Sequence, residues 1–150
     1  MQYKSLVFLY LVFMLEPRKI KHRKVQKSGF PSVANKAIAI KFGSYGLKAL
    51  ESCRLTSSQI ETARKAMVYK LNKKRTRIWI RVFPNLPVSG KSSEVRMGGG
   101  KGMLKFWAVH VPAGHVLFEI AGVSLIQAQS IFKRVSDKLP IKSKFISFNI

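Results

Sequence analysis

The sequence predicts an α+β fold, a single compact domain of mixed strands with two helices over residues 37–150, behind a basic N-terminal arm. Three observations carry this. Two segments hold apolar residues at helical spacing, each opened by a capping signature. Between and around them lie short runs rich in β-branched and aromatic residues, punctuated by Gly and Pro. Residues 14–36 instead carry dense positive charge with no sustained apolar period, and 1–13 form an apolar extension ahead of them.

The elements follow in order. Ala37–Phe42 (AIAIKF) reads as a short strand, turned by Gly43 and Gly46. Leu47–Leu55 reads as a second strand leading into a helix. Thr56 supplies that helix with an N-cap and Gln59 completes a capping box. Ile60, Ala63, Met67 and Leu71 then form one apolar face, with Arg64, Lys65, Lys73 and Lys74 largely off it. Thr76–Phe83 alternates Ile78, Ile80 and Val82 against Trp79, Arg81 and Phe83, a strand with bulk on both faces. Pro84 and Pro87 end it and open a loop to about Glu94. The glycine-rich stretch Arg96, Met97, Gly98, Gly99, Gly100, Lys101, Gly102 comes next. Leu104–Val111 is a strand, Pro112–Gly114 a turn, and His115–Ile120 the expected hairpin partner. Ser124 and Gln127 form a second capping box before Ala128, Ile131, Phe132, Val135 and Leu139. Pro140 stops that helix, and Ile141–Phe148 makes a last strand.

Charge decides the partner class. The 150 residues hold 28 Lys and Arg against 6 Asp and Glu, a net charge of +22. Such a globule repels itself, and a polyanion relieves the repulsion while releasing counterions. Nucleic acid is the expected partner. An anionic membrane surface is the weaker alternative, anchored by Ser5–Phe13 plus the arm. That run is far short of the roughly 20 residues a span needs. Glu16-Pro17 and the basic stretch also replace a signal-peptide cleavage site. The single cysteine, Cys53, permits no intrachain disulfide and no cysteine-based zinc site.

Enzyme chemistry is not legible. The acids Glu16, Glu51, Glu61, Glu94, Glu119 and Asp137 are scattered, with no pair for acid–base work or for holding two metals. His110 and His115 flank a predicted turn without a third metal ligand. The glycine stretch lacks the spacing of a phosphate-binding P-loop, because Lys101 precedes Gly102 and no hydroxyl follows. No cofactor, metal or small-molecule substrate is expected. A Lys-bearing glycine loop still suits close backbone approach to RNA phosphates.

Several blocks carry a resemblance. FGSYGLKAL (Phe42–Leu50), RLTSSQIETARKAM (Arg54–Met67), IWIRVFP (Ile78–Pro84), VRMGGGKG (Val95–Gly102), VLFEIAGV (Val116–Val123) and LPIKSKF (Leu139–Phe145) stand in collinear order. Together with Met14-Leu15-Glu16-Pro17 they resemble the family of large-subunit ribosomal protein sixteen in bacterial nomenclature, over roughly residues 14–146. The resemblance implies a hammerhead-type α+β fold on large-subunit rRNA, near the central protuberance and the A-site side of the peptidyl transferase region. It also implies support of A-site tRNA, a part in late subunit assembly, and neighbouring large-subunit proteins as partners. Three departures stand out: residues 1–13 have no bacterial counterpart, Gly29–Ala39 lacks the usual Gly/Arg density, and Lys105-Phe106-Trp107 replaces a block that usually carries an acid. Such drift suggests an organellar copy, in a mitochondrial ribosome in preference to a plastid or a bacterial cytoplasm.

The residues expected to bind rRNA are Arg18, Lys19, Lys21, Arg23, Lys24 and Lys27 of the arm, with Arg54, Arg64, Lys65, Lys73, Lys74, Arg75, Arg77 and Arg81 of the domain. The loop expected near tRNA is Arg96–Gly102. A stand-alone DNA- or RNA-binding module is the competing reading, and it lacks a recognition-helix or zinc-finger signature.

Overall fold

A computed structural model of the chain describes residues 15–26, 29, 33–71 and 76–148. Its described elements run β1 (Tyr45–Ala49), β2 (Cys53–Thr56), α1 (Ser57–Lys70), β3 (Arg77–Ile80), β4 (Leu86–Gly90), β5 (Met103–Val111), β6 (Val116–Ala121), α2 (Leu125–Ser136) and β7 (Ser143–Ser147). The α+β class, with two helices among mixed strands, is the one the sequence predicts. All named strand pairs are antiparallel, in a four-stranded sheet ordered β3-β6-β1-β7 and a three-stranded sheet ordered β2-β5-β4.

Both helices form where their periodicity places them. Thr56 Oγ1 accepts the Gln59 N–H (3.3 Å) while Gln59 Oε1 accepts the Thr56 N–H (2.9 Å), a reciprocal capping box. Ile60, Ala63 and Met67 of α1 meet Ile131, Phe132 and Val135 of α2 in one core with Leu47, Phe118 and Ile120 of the larger sheet. That core lies on one face of the sheet, because side chains alternate along each strand. Ile78, Ile80, Phe118 and Ile120 point in, leaving Trp79 and Glu119 on the outer face.

Five expectations need correction. Ala37–Phe42 is not a strand: Ala37 sits at φ 54°, and the amides of Lys41 and Phe42 are taken by the Glu119 carboxylate. Leu47–Leu55 is broken at Leu50–Ser52, where the chain leaves one sheet for the other. The predicted Pro84–Glu94 loop contains β4. Pro87 is tolerated there because β4 is an edge strand, where a missing N–H need cost no ladder bond. His115–Ile120 is not the hairpin partner of β5. Gly114, at φ 89°, donates its N–H to Ala49 O (2.8 Å), and the Ala49 N–H reaches His115 O (2.9 Å), so β1 captures the returning chain. Ser124 caps α2 by position alone: its carbonyl accepts the Ala128 N–H, and its hydroxyl makes no cap bond.

Candidate nucleic-acid interface

The arm is exposed from Arg18 through Gln26, with Arg18, Lys19, Lys21, Arg23 and Lys24 all facing solvent. Lys27 lies outside the described residues. The segment Lys91–Lys101 is likewise exposed along its whole length, and it joins β4 to β5. Gly98, Gly99 and Gly100 take φ values of 96°, 68° and 83°, a left-handed run that side-chain-bearing residues rarely adopt. No atom lies within 4 Å of where their Cβ atoms would be, so conformation and not packing calls for glycine here. Gly102 is different. A Cβ there would stand 2.5 Å from Gly90 C and O, so the loop is pinched shut at its base.

Arm and loop meet. Lys24 Nζ donates to Lys101 O at 2.8 Å, and Lys101 Nζ donates back to Val25 O. Lys91 Nζ donates to Gly98 O. Three ammonium groups therefore rest on backbone carbonyls within one locus, with Arg96 exposed on the same loop. Sequence reasoning treated arm and loop as separate segments and left Lys91 out. No local signal could join residues 77 apart, although the position of Lys91 at the loop entrance was readable.

The domain cations divide into two groups. Lys65 and Arg77 are exposed. Arg64 is held by Glu61 through Nε (2.8 Å) and Nη2 (2.7 Å), and that hydrogen-bonded pairing raises its pKa. Arg54 is half-buried with Nη2 3.4 Å from His110 Nε2. Burial, then the Arg54 charge, holds His110 below the usual imidazole range. Arg81 is committed to an ion pair: its side chain is 14% exposed and bonded to the wholly buried Glu119. Lys73, Lys74 and Arg75 lie outside the described residues.

Glu119 is the electrostatic centre of the outer sheet face. Beyond Arg81, it accepts N–H bonds from Lys41 (3.2 Å), Phe42 (2.7 Å) and Gly43 (2.9 Å). Burial pushes its pKa up. The bonds from Phe42, Gly43, Arg81 and Lys41 outweigh that and leave it below the ordinary carboxylate value. Gly43 is required for this wrap, since a Cβ there would sit 2.8 Å from Ile120 O and 2.9 Å from Ile120 N. Among the described residues, no three His, Cys, Asp or Glu side chains group to hold a metal, and no helix is long and apolar enough to cross a membrane. What the surface offers chemically is cationic hydrogen-bond donors on exposed backbone, the equipment for holding phosphates.

Residues 17–146 match the family model described as ribosomal protein L16p/L10e. Large ribosomal subunit protein uL16 of Rhodospirillum centenum is 48% identical over 134 residues, covering 89% of this chain and 94% of that protein. The protein of the same name from Paramagnetospirillum magneticum is 49% identical, covering 89% and 96%. That of Orientia tsutsugamushi is 47% identical over 133 residues, covering 89% and 97%.

Proposed function

Because the chain belongs to the ribosomal protein L16p/L10e family, we propose that it is a structural, non-enzymatic constituent of the large ribosomal subunit whose arm and loop bind rRNA. The observation that carries the interface is the crossed contact of Lys24 and Lys101, which makes arm and loop one cationic surface. Each of these lysine-to-carbonyl bonds pairs a charge with a neutral oxygen on an exposed surface, where water competes for both partners. A phosphate oxygen is a charged acceptor and forms the stronger bond, so RNA draws these ammonium groups from their carbonyls without moving the backbone far. Arg18, Lys19, Lys21 and Arg23 continue the exposed charge along the arm, and Lys65 and Arg77 are further exposed cations on the domain.

Within that role, the finer reading is support of A-site tRNA by Arg96–Gly102 and a part in late subunit assembly beside neighbouring large-subunit proteins. The left-handed glycines support it, because they let a backbone approach RNA without side-chain bulk. For location, the relatives named are bacterial, which favours a ribosome of bacterial type. The departures at 1–13 and Lys105–Trp107 favour an organellar version of it, and a mitochondrial ribosome accommodates both. In the test, tagged chain is followed through sucrose-gradient sedimentation and tRNA binding. The full chain is expected with large subunits. Arg96→Ala or Lys101→Ala should leave it there while weakening A-site tRNA binding at least several-fold. Chain absent from large subunits overturns the role, and unaltered tRNA binding in both variants removes the loop from it.

A further inference from the structure

The outer face of the four-stranded sheet carries an aromatic pair that neither the core nor the arm-and-loop surface uses. Along β3, Arg77 and Trp79 alternate with the core-facing Ile78 and Ile80, and Trp79 stands opposite Glu119 on β6. Phe42 crosses over this face from outside the sheet. Its ring lies on Trp79 with centroids 6.2 Å apart and planes 19° from parallel. Phe42 is nevertheless 52% exposed, a large apolar ring left half in water. Its backbone is fixed: its N–H is held by Glu119, and Gly43 beside it is locked against the backbone of Ile120. The ring is thus anchored at its backbone and half exposed at once.

Cations surround it. Lys41 Nζ lies 5.7 Å and the Arg81 guanidinium carbon 5.1 Å from the Phe42 ring centroid, and Arg77 is exposed on the same strand face. The only acid in β3 and β6 is Glu119, which is buried and already saturated by Arg81 and three amides. The face therefore presents π surface and positive charge with no free negative group. An apolar protein partner would leave Lys41 and Arg77 unpaired, whereas a nucleotide supplies both a flat base and a phosphate. We infer that Phe42 and Trp79, flanked by Lys41 and Arg77, form a stacking site for an unpaired RNA base. This deepens the RNA-binding reading and rests on it, but adds a second contact selective for single strands, where arm and loop address phosphates of any helix. Bases inside a duplex are already stacked and cannot reach it.

Tryptophan fluorescence tests this on the full chain, because the only other tryptophan, Trp107, is 5% exposed and sits in the other sheet. The probes are a single-stranded uridine decamer and a ten-base-pair RNA duplex, with binding followed independently by anisotropy of labelled RNA. The decamer is expected to quench Trp79 and the duplex to bind without quenching. Phe42→Leu keeps an apolar cover over the ion pair, and it should weaken decamer binding about tenfold while leaving duplex affinity unchanged. Phe42→Tyr should restore decamer affinity. If the decamer binds by anisotropy without quenching in the wild-type chain, the stacking site is overturned and the arm-and-loop reading survives. If neither RNA binds, both fall.

Discussion

Arg81 shows how one residue's neighbours decide its role. By composition it was one more cation for RNA. In the fold it is bonded to Glu119, a carboxylate with no solvent exposure that also gathers three backbone amides. Removing one partner of such a pair leaves an uncompensated buried charge, which costs far more than the pair contributes when intact. Arg81→Leu should therefore lower unfolding free energy by about 3–5 kcal/mol, measured by urea denaturation, with duplex-RNA affinity of the folded fraction nearly unchanged. A loss of RNA affinity with stability intact would return Arg81 to the binding surface. The alternation Trp79, Arg81 along the strand did show which face Arg81 occupies. It could not show that Glu119, 38 residues on, waits there.

Elements differ in how much of them is written locally. Both helices were legible, since a helical face is set by residues three and four apart and Ile60, Ala63, Met67, Ala128, Ile131 and Val135 all prove buried. Their caps were less so. Thr56 closes its box, while Ser124 makes no side-chain bond despite an identical spacing to its glutamine. Thr56→Ala should accordingly cost about 1 kcal/mol of stability, and Ser124→Ala should stay within about 0.5 kcal/mol of wild type, both read from thermal unfolding. Equal losses would mean that the two caps are equivalent. Strands were visible as alternating runs, but pairing is non-local: β5 and β6 look like a hairpin and belong to different sheets. β4 was missed because Pro87 argues against a strand unless its edge position is known. The arm–loop contact was missed for the same reason of distance along the chain.

At the scale of the whole molecule, charge governs both stability and partner. His110 and His115 are held below the ordinary value of 6.5, foremost by burial, and Glu119 lies below its ordinary 4.5 because its hydrogen bonds outweigh burial. For each, the unfolded chain takes up its proton at a higher pH than the folded chain does. Stability is therefore fully present above pH 6.5, falls as pH drops below it through the two histidines, and falls again below 4.5 through Glu119. Unfolding free energy measured from pH 8 to pH 3 should show both declines; a rise on acidification would refute the assignment. The larger matter is the +22 charge, against which the described fold offers three ion pairs. Among the described residues most cations are exposed and outside those pairs, and on the proposed function phosphates complete the balance. Affinity of the full chain for large-subunit rRNA, measured against salt concentration, tests this most directly. With about 8 to 12 cations on phosphate, the log–log slope should be on the order of −6 to −11, and a slope near zero would contradict the account.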